Sequence, residues 1–77
     1  MTREIPVVSG KQAIKAFLKL GYVQTRQKGS HVRLKHPIGE NRKPLSIPLH
    51  RELKIGLLSD LIKDAGLTID EFNSLLR

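Results

Sequence analysis

The sequence predicts an α+β domain with the order α-β-β-β-α and a short C-terminal helix, its three-stranded antiparallel sheet carrying the helices on one face. Three patterns predict it. Apolar residues recur at helical spacing behind a capping serine near the start, apolar and polar residues alternate between positions 30 and 36, and a second helical stripe spans positions 57–65. At 77 residues the chain has room for one domain, residues 1–77.

The first helix begins at Ser9. Its hydroxyl is placed to cap, and Gln12 three residues on completes a capping box. Ala13, Ile14, Phe17 and Leu18 form the expected apolar face, with Lys11, Lys15 and Lys19 on the other side. Gly21 stands where a left-handed C-terminal cap belongs.

Two strands follow. Tyr22 to Lys28 carries the strand formers Tyr22, Val23 and Thr25. Gly29 marks a tight turn. From Ser30 to His36, Val32, Leu34 and His36 share one face, and His31, Arg33 and Lys35 share the other. If Val32 and Leu34 face the core, then His31, Arg33 and Lys35 point outward together. Pro37, Gly39 and Asn41 belong to a polar loop. Leu45 to Pro48 is a short third strand with Leu45 and Ile47 inward, Pro48 marking its end or a sheet edge.

The second helix is expected from Lys54 to Ala65, with Leu57, Leu58, Leu61, Ile62 and Ala65 as its stripe and Gly66 as its stop. Thr68 and Glu71 form another capping box, Leu67 and Phe72 a hydrophobic staple, and a last short helix runs to about Leu76.

Composition narrows the function. Lys and Arg number 14 against 7 acids, a formal net charge of +7. Residues 1–20 carry net +3, residues 21–54 net +6 and residues 55–77 net −2. A cationic excess of this size points to a polyanionic partner, and its interleaving with strand alternation favours nucleic acid. With no Cys, a disulfide framework and a thiolate metal site are both excluded. Met1, Thr2, Arg3 and Glu4 are followed by no apolar run long enough for a secretory signal or a membrane span, so a soluble, cytoplasmic protein without a membrane partner is expected.

Of the three histidines, His36 precedes Pro37 on the core side of its strand and reads as structural. His50, just before the second helix, reads as a hydrogen-bonding or capping residue. His31 follows Gly29 and Ser30 between Lys28 and Arg33, and the residues alone leave it either a surface histidine or a catalyst. No metal site and no cofactor are expected: positions 31, 36 and 50 have no ligand spacing, and the few acids lie mostly in the C-terminal third. Phosphodiester cleavage without metal favours RNA, whose 2′-hydroxyl is an internal nucleophile. Histidine suits the removal of that proton near neutral pH, and Lys28, Arg33 or Lys35 could stabilise charge building on the phosphate.

The run Arg26-Gln27-Lys28-Gly29-Ser30-His31 resembles the signature of HicA toxins. Lys35-His36-Pro37, Ile47-Pro48-Leu49-His50, Leu53-Lys54-Ile55-Gly56-Leu57-Leu58 and Ile62-Lys63-Asp64-Ala65-Gly66-Leu67 resemble later segments of that family in the same order. The resemblance runs from about Ser9 to Leu76. It implies a fold like that of double-stranded-RNA-binding domains, ribosome-independent mRNA cleavage with His31 as the catalytic residue, and a HicB antitoxin as partner. Arg26, Lys28, Gly29, Ser30, Arg33 and Lys35 are then the expected RNA-binding residues. Val32 departs from the family by standing where many members carry a second histidine. The alternative is a non-catalytic double-stranded-RNA-binding module. As a resemblance, such modules usually carry a lysine cluster at the start of the second helix, where this chain has Ile55-Gly56-Leu57-Leu58.

Overall fold

The computed structural model describes residues 5–77; Met1, Thr2, Arg3 and Glu4, on which the leader reading partly rests, lie outside them. Helix α1 (Gly10–Leu20) begins with the expected capping box, Ser9 and Gln12 each bonding the other's backbone N–H. It ends at Gly21, whose φ of 113° is open to a residue without Cβ. A side chain there would also strike the His36 ring, 2.7 Å from its Nε2. Strands β1 (Val23–Lys28), β2 (His31–Lys35) and β3 (Leu45–Pro48) form an antiparallel sheet in the order β1-β2-β3. Helices α2 (Ile55–Asp64) and α3 (Ile69–Leu75) follow.

The expected α+β order therefore holds. Val32 and Leu34 of β2 and Leu45 and Ile47 of β3 are buried in one cluster with Ala13, Phe17, Leu58, Leu61, Ile62, Ala65 and Phe72. All three helices thus cover the same face of the sheet, and the other face is left to solvent. The Phe17 ring touches both Tyr22 and Phe72, at centroid distances of 5.9 and 5.3 Å. That contact joins the chain's three aromatic side chains at the centre of a core otherwise aliphatic.

The face of α1 differs from its expected position. Ala13, Ala16 and Phe17 are buried, Ile14 is half-buried and Leu18 is 43% exposed. Gly10 explains the rotation. It lies so close to the end of β3 that a Cβ would overlap the Pro48 carbonyl oxygen, and its N–H bonds the His50 carbonyl at 2.9 Å. This contact turns the small residues Gly10, Ala13 and Ala16 toward the sheet and carries Leu18 outward.

Other ends follow sequence chemistry. Gly66, at φ 73°, closes α2 with Gly66 N–H bonding Lys63 O and Leu67 N–H bonding Ile62 O, a Schellman motif. Thr68 and Glu71 cap α3 reciprocally, and the Thr68 N–H holds the Glu71 carboxyl below its ordinary range. The loop between β2 and β3 is pinned to the end of α2: Arg42 donates to the Ala65 carbonyl, and Lys43 N–H to the Asp64 carbonyl. A cation at a helix C-terminus also complements its dipole. Arg42 is thus half-buried and engaged with the end of α2.

Candidate functional site

The open face of the sheet is organised by the hairpin joining β1 to β2. Gly29 has φ 59°, and no other residue of the two-residue Gly29–Ser30 loop has positive φ, the pattern of a type II′ hairpin turn. Two bonds brace it. The Gln27 side-chain amide donates to the Gly29 carbonyl at 3.2 Å, and Leu49 N–H donates to the Ser30 carbonyl at 2.7 Å. The second ties the turn to the exit of β3.

Register then sets the neighbours. His31 pairs with Lys28 on one side and Pro48 on the other; Arg33 pairs with Arg26 and Ser46; Lys35 pairs with Val23. Directly paired residues project to the same face. The burial of β2 alternates as expected, with His31, Arg33 and Lys35 exposed and Val32 and Leu34 buried. His31 therefore stands at one end of a cationic field made by Arg26, Lys28, Arg33 and Lys35.

Arg26 and Lys28 reach that face through an irregularity. Tyr22 is buried, so strict alternation from it would send Val23 outward and Arg26 and Lys28 under the helices. The register instead shifts between Gln24 and Arg26, leaving Thr25 unpaired in a β-bulge. The Thr25 hydroxyl donates to the Arg33 carbonyl at 3.4 Å. The bulge absorbs one residue between two fixed ends: the Tyr22 hydroxyl bonds the Lys43 carbonyl at 2.8 Å, and the glycine turn holds the other end. Burial pushes the Tyr22 phenol above its ordinary range, against the opposing influence of Arg42.

Among the described residues, no side chain of Arg26, Lys28, His31, Arg33 or Lys35 has a hydrogen bond or ion pair within the protein. The three strands contain no carboxylate. The arrangement is a set of uncommitted donors and one imidazole on a flat surface. It can bind phosphates, and the imidazole can exchange a proton with a bound group. Among the described residues no three His, Cys, Asp or Glu come together in a metal-binding group.

The other histidines separate from this site. His36 is half-buried: its Nε2 donates to the Leu20 carbonyl at 3.1 Å, and its ring stands edge-on to Tyr22 at 5.1 Å. The structural reading of His36 fits this packing. The His50 ring is exposed, forms no hydrogen bond, and does not cap α2, whose N-cap is Lys54 without a side-chain bond. The capping role expected of His50 is thus corrected: only its backbone carbonyl is used, by Gly10.

Two features of the site escape the sequence reading. The bracing role of Gln27 leaves no local signal. The pairing of Arg26 with Arg33 does: counting outward from a two-residue turn after Lys28 places them opposite each other.

Comparison with known protein families gives a match to the model described as HicA toxin of bacterial toxin-antitoxin, over residues 10–67. The matched segment includes the whole sheet, the glycine turn and His31. No individual curated protein matches the chain.

Proposed function

The chain belongs to the HicA toxin family of bacterial toxin–antitoxin systems, and on that premise we propose that it is an endoribonuclease that cleaves mRNA without metal and without the ribosome. The observation that carries this reading is the exposed His31 ring among four cations whose side chains have no hydrogen-bond or ion-pair partner among the described residues.

The mechanism follows from the donor set. Arg26, Lys28, Arg33 and Lys35 hold the backbone of a single strand against the sheet. The neutral imidazole of His31 takes the proton of a ribose 2′-hydroxyl. The 2′-oxygen attacks the adjacent phosphorus, the bond from phosphorus to the 5′-oxygen breaks, and the 5′-oxygen leaves as a hydroxyl, taking its proton from water while His31 returns its own to solvent. The products are a 2′,3′-cyclic phosphate end and a 5′-hydroxyl end. Lys28, the direct cross-strand neighbour of His31, lies best to stabilise charge developing on the phosphate.

Two properties test the proposal. Cleavage of a single-stranded RNA should continue in EDTA, and a deoxyribose at the cleaved position should stop it, since the internal nucleophile is then missing. Activity lost in EDTA and restored by Mg²⁺ would reject the mechanism. Retardation of the RNA with no cleavage would instead favour a binding-only module. The first turn of α2 speaks against that module: Ile55 is 59% exposed there and Gly56 follows it, where a lysine cluster would serve RNA grooves.

Membership of a toxin–antitoxin family implies an antitoxin partner. The partner is proposed to be HicB-like and to cover the His31 face, presenting carboxylates to Lys28, Arg33 or Lys35 in place of phosphates. Such pairing speeds association most at low salt. Hydrogen exchange on the complex tests it. Strand β2 is the middle strand, so its amides are already bonded on the sheet. New protection should appear at Gly29, Ser30 and the free-edge amides of β1. Protection confined to α2 and α3 would reject direct occlusion.

A further inference from the structure

The register of the β1–β2 hairpin, counted from its glycine turn, creates an arrangement that sheets generally avoid. Arg26 and Arg33 are direct cross-strand partners on the open face. Like charges so placed have Cβ atoms only ~4.5–5.5 Å apart and destabilise the pair. Among the described residues nothing compensates: neither guanidinium has an ion pair, and no strand carries an acid. A shallow depression of about 330 Å³ lies between them, lined by Thr25, Arg26, Arg33 and Lys35. The Thr25 hydroxyl faces the Arg33 carbonyl and holds the bulge that sets Arg26 in place.

We propose that this depression is a phosphate subsite, in which Arg26 and Arg33 clamp a single backbone phosphate adjacent to the one at His31. The proposal rests on the reading of this face as an RNA path. It adds that the two arginines act on one phosphate, not on two.

Geometry and chemistry support the sharing. A guanidinium presents paired N–H donors that match phosphate oxygens, and two guanidinia facing each other offer donors to both sides of one phosphate. The bound anion also removes the repulsion that the empty pair suffers, so binding and local stability favour the same state. Arg33 lies two residues from His31 along one strand, roughly 6.6–6.8 Å away. That separation suits neighbouring phosphates of an extended single strand. The grip at this subsite is on the backbone, because Phe17, Tyr22 and Phe72 are all buried and the depression is lined by Thr25, Arg26, Arg33 and Lys35, with no ring for a base to stack on. The substrate class is therefore a single strand held by its phosphates with little base preference at this subsite, and Lys35 extends the track by one more step.

The test uses a short oligothymidylate, which binds through phosphates and offers no 2′-hydroxyl for cleavage. Its affinity is measured against salt concentration for the wild type, R26Q, R33Q, K28Q and two double variants. All the changes are at exposed positions, and circular dichroism checks the folds. Each phosphate of a single strand that is no longer neutralised lowers the slope of log K against log salt by ~0.7. The double variant R26Q/R33Q should lower it by about 0.7 in total, since both residues serve one phosphate. The single variants R26Q and R33Q should each leave it nearly unchanged, because the remaining arginine still neutralises the shared phosphate, and K28Q/R33Q should lower it by about 0.7, the share of Lys28 alone. A fall of about 1.4 in R26Q/R33Q, or of about 0.7 in each single arginine variant, would overturn the shared subsite, and so would an unchanged slope in R26Q/R33Q. The cleavage reading is checked separately on the matching ribo-oligonucleotide, so its failure leaves the binding result interpretable.

Discussion

Replacing His31 by alanine should leave a folded protein that no longer cleaves RNA. The side chain is exposed and makes no hydrogen bond, so its removal should change stability by no more than ~0.5 kcal/mol, as at other surface positions. The effect on activity should be far larger. General acid–base assistance is typically worth ~10²–10⁴ in rate, which corresponds to a barrier higher by about 3–5 kcal/mol. His31→Gln sharpens the experiment, because glutamine keeps a polar, hydrogen-bonding side chain but cannot accept the proton. Both variants should be inactive to the same degree. The measurements are the single-turnover rate on a ribo-oligonucleotide and the thermal midpoint of each variant. A folded His31→Ala protein that cleaves at the wild-type rate would remove His31 from the mechanism, and the cationic face would then be a binding surface alone.

What the sequence discloses about this site is local chemistry, and what it withholds is set by contacts between distant segments. Both capping boxes, the glycine stops after α1 and α2 and the alternation of β2 depend on residues within a few positions of each other, and the structure matches them. The outward direction of His31, Arg33 and Lys35 follows from Val32 and Leu34 alone. The facing of Arg26 and Lys28 needs the turn as well, since counting back from Gly29–Ser30 sets them opposite Arg33 and His31; the bulge at Thr25 that reconciles this register with the buried Tyr22 has no local signal. Strand β1 also buries none of its six residues, which its composition of strand formers does not disclose. Arg42 reads in the sequence as one more loop cation, and only the approach of the α2 terminus shows where its charge is used. The same limit applies to α1, whose buried face is displaced by a backbone contact with a distant segment, between Gly10 and Pro48–His50.

That contact makes a single added methyl group at Gly10 costly. Gly10→Ala should destabilise the domain strongly. The new Cβ would overlap the Pro48 carbonyl oxygen and crowd the Leu49 Cα at 3.1 Å, so the obstacle is backbone and no side-chain rotation relieves it. The start of α1 and the end of β3 must separate, which weakens the bond from Gly10 N–H to the His50 carbonyl and opens the buried layer around Ala13 and Phe17. Overpacking of this kind costs ~1–3 kcal/mol and occasionally more. In a domain of this size each kcal/mol moves the melting temperature by roughly 4–8 °C, so a fall of about 4–24 °C is expected. Gly56→Ala supplies the opposite sign. Gly56 lies within α2, and a Cβ added there would meet no atom within 4 Å. Alanine at that position should stabilise by roughly 0.5–1 kcal/mol through helix propensity and a restricted unfolded chain. Melting curves of the two variants beside the wild type decide the matter: the close approach of α1 to β3 is wrong if Gly10→Ala melts with the wild type or above it. Because Pro48 is also the cross-strand partner of His31, any Gly10→Ala protein that remains folded at the assay temperature should cleave more slowly, the strand end having moved away from the catalytic residue.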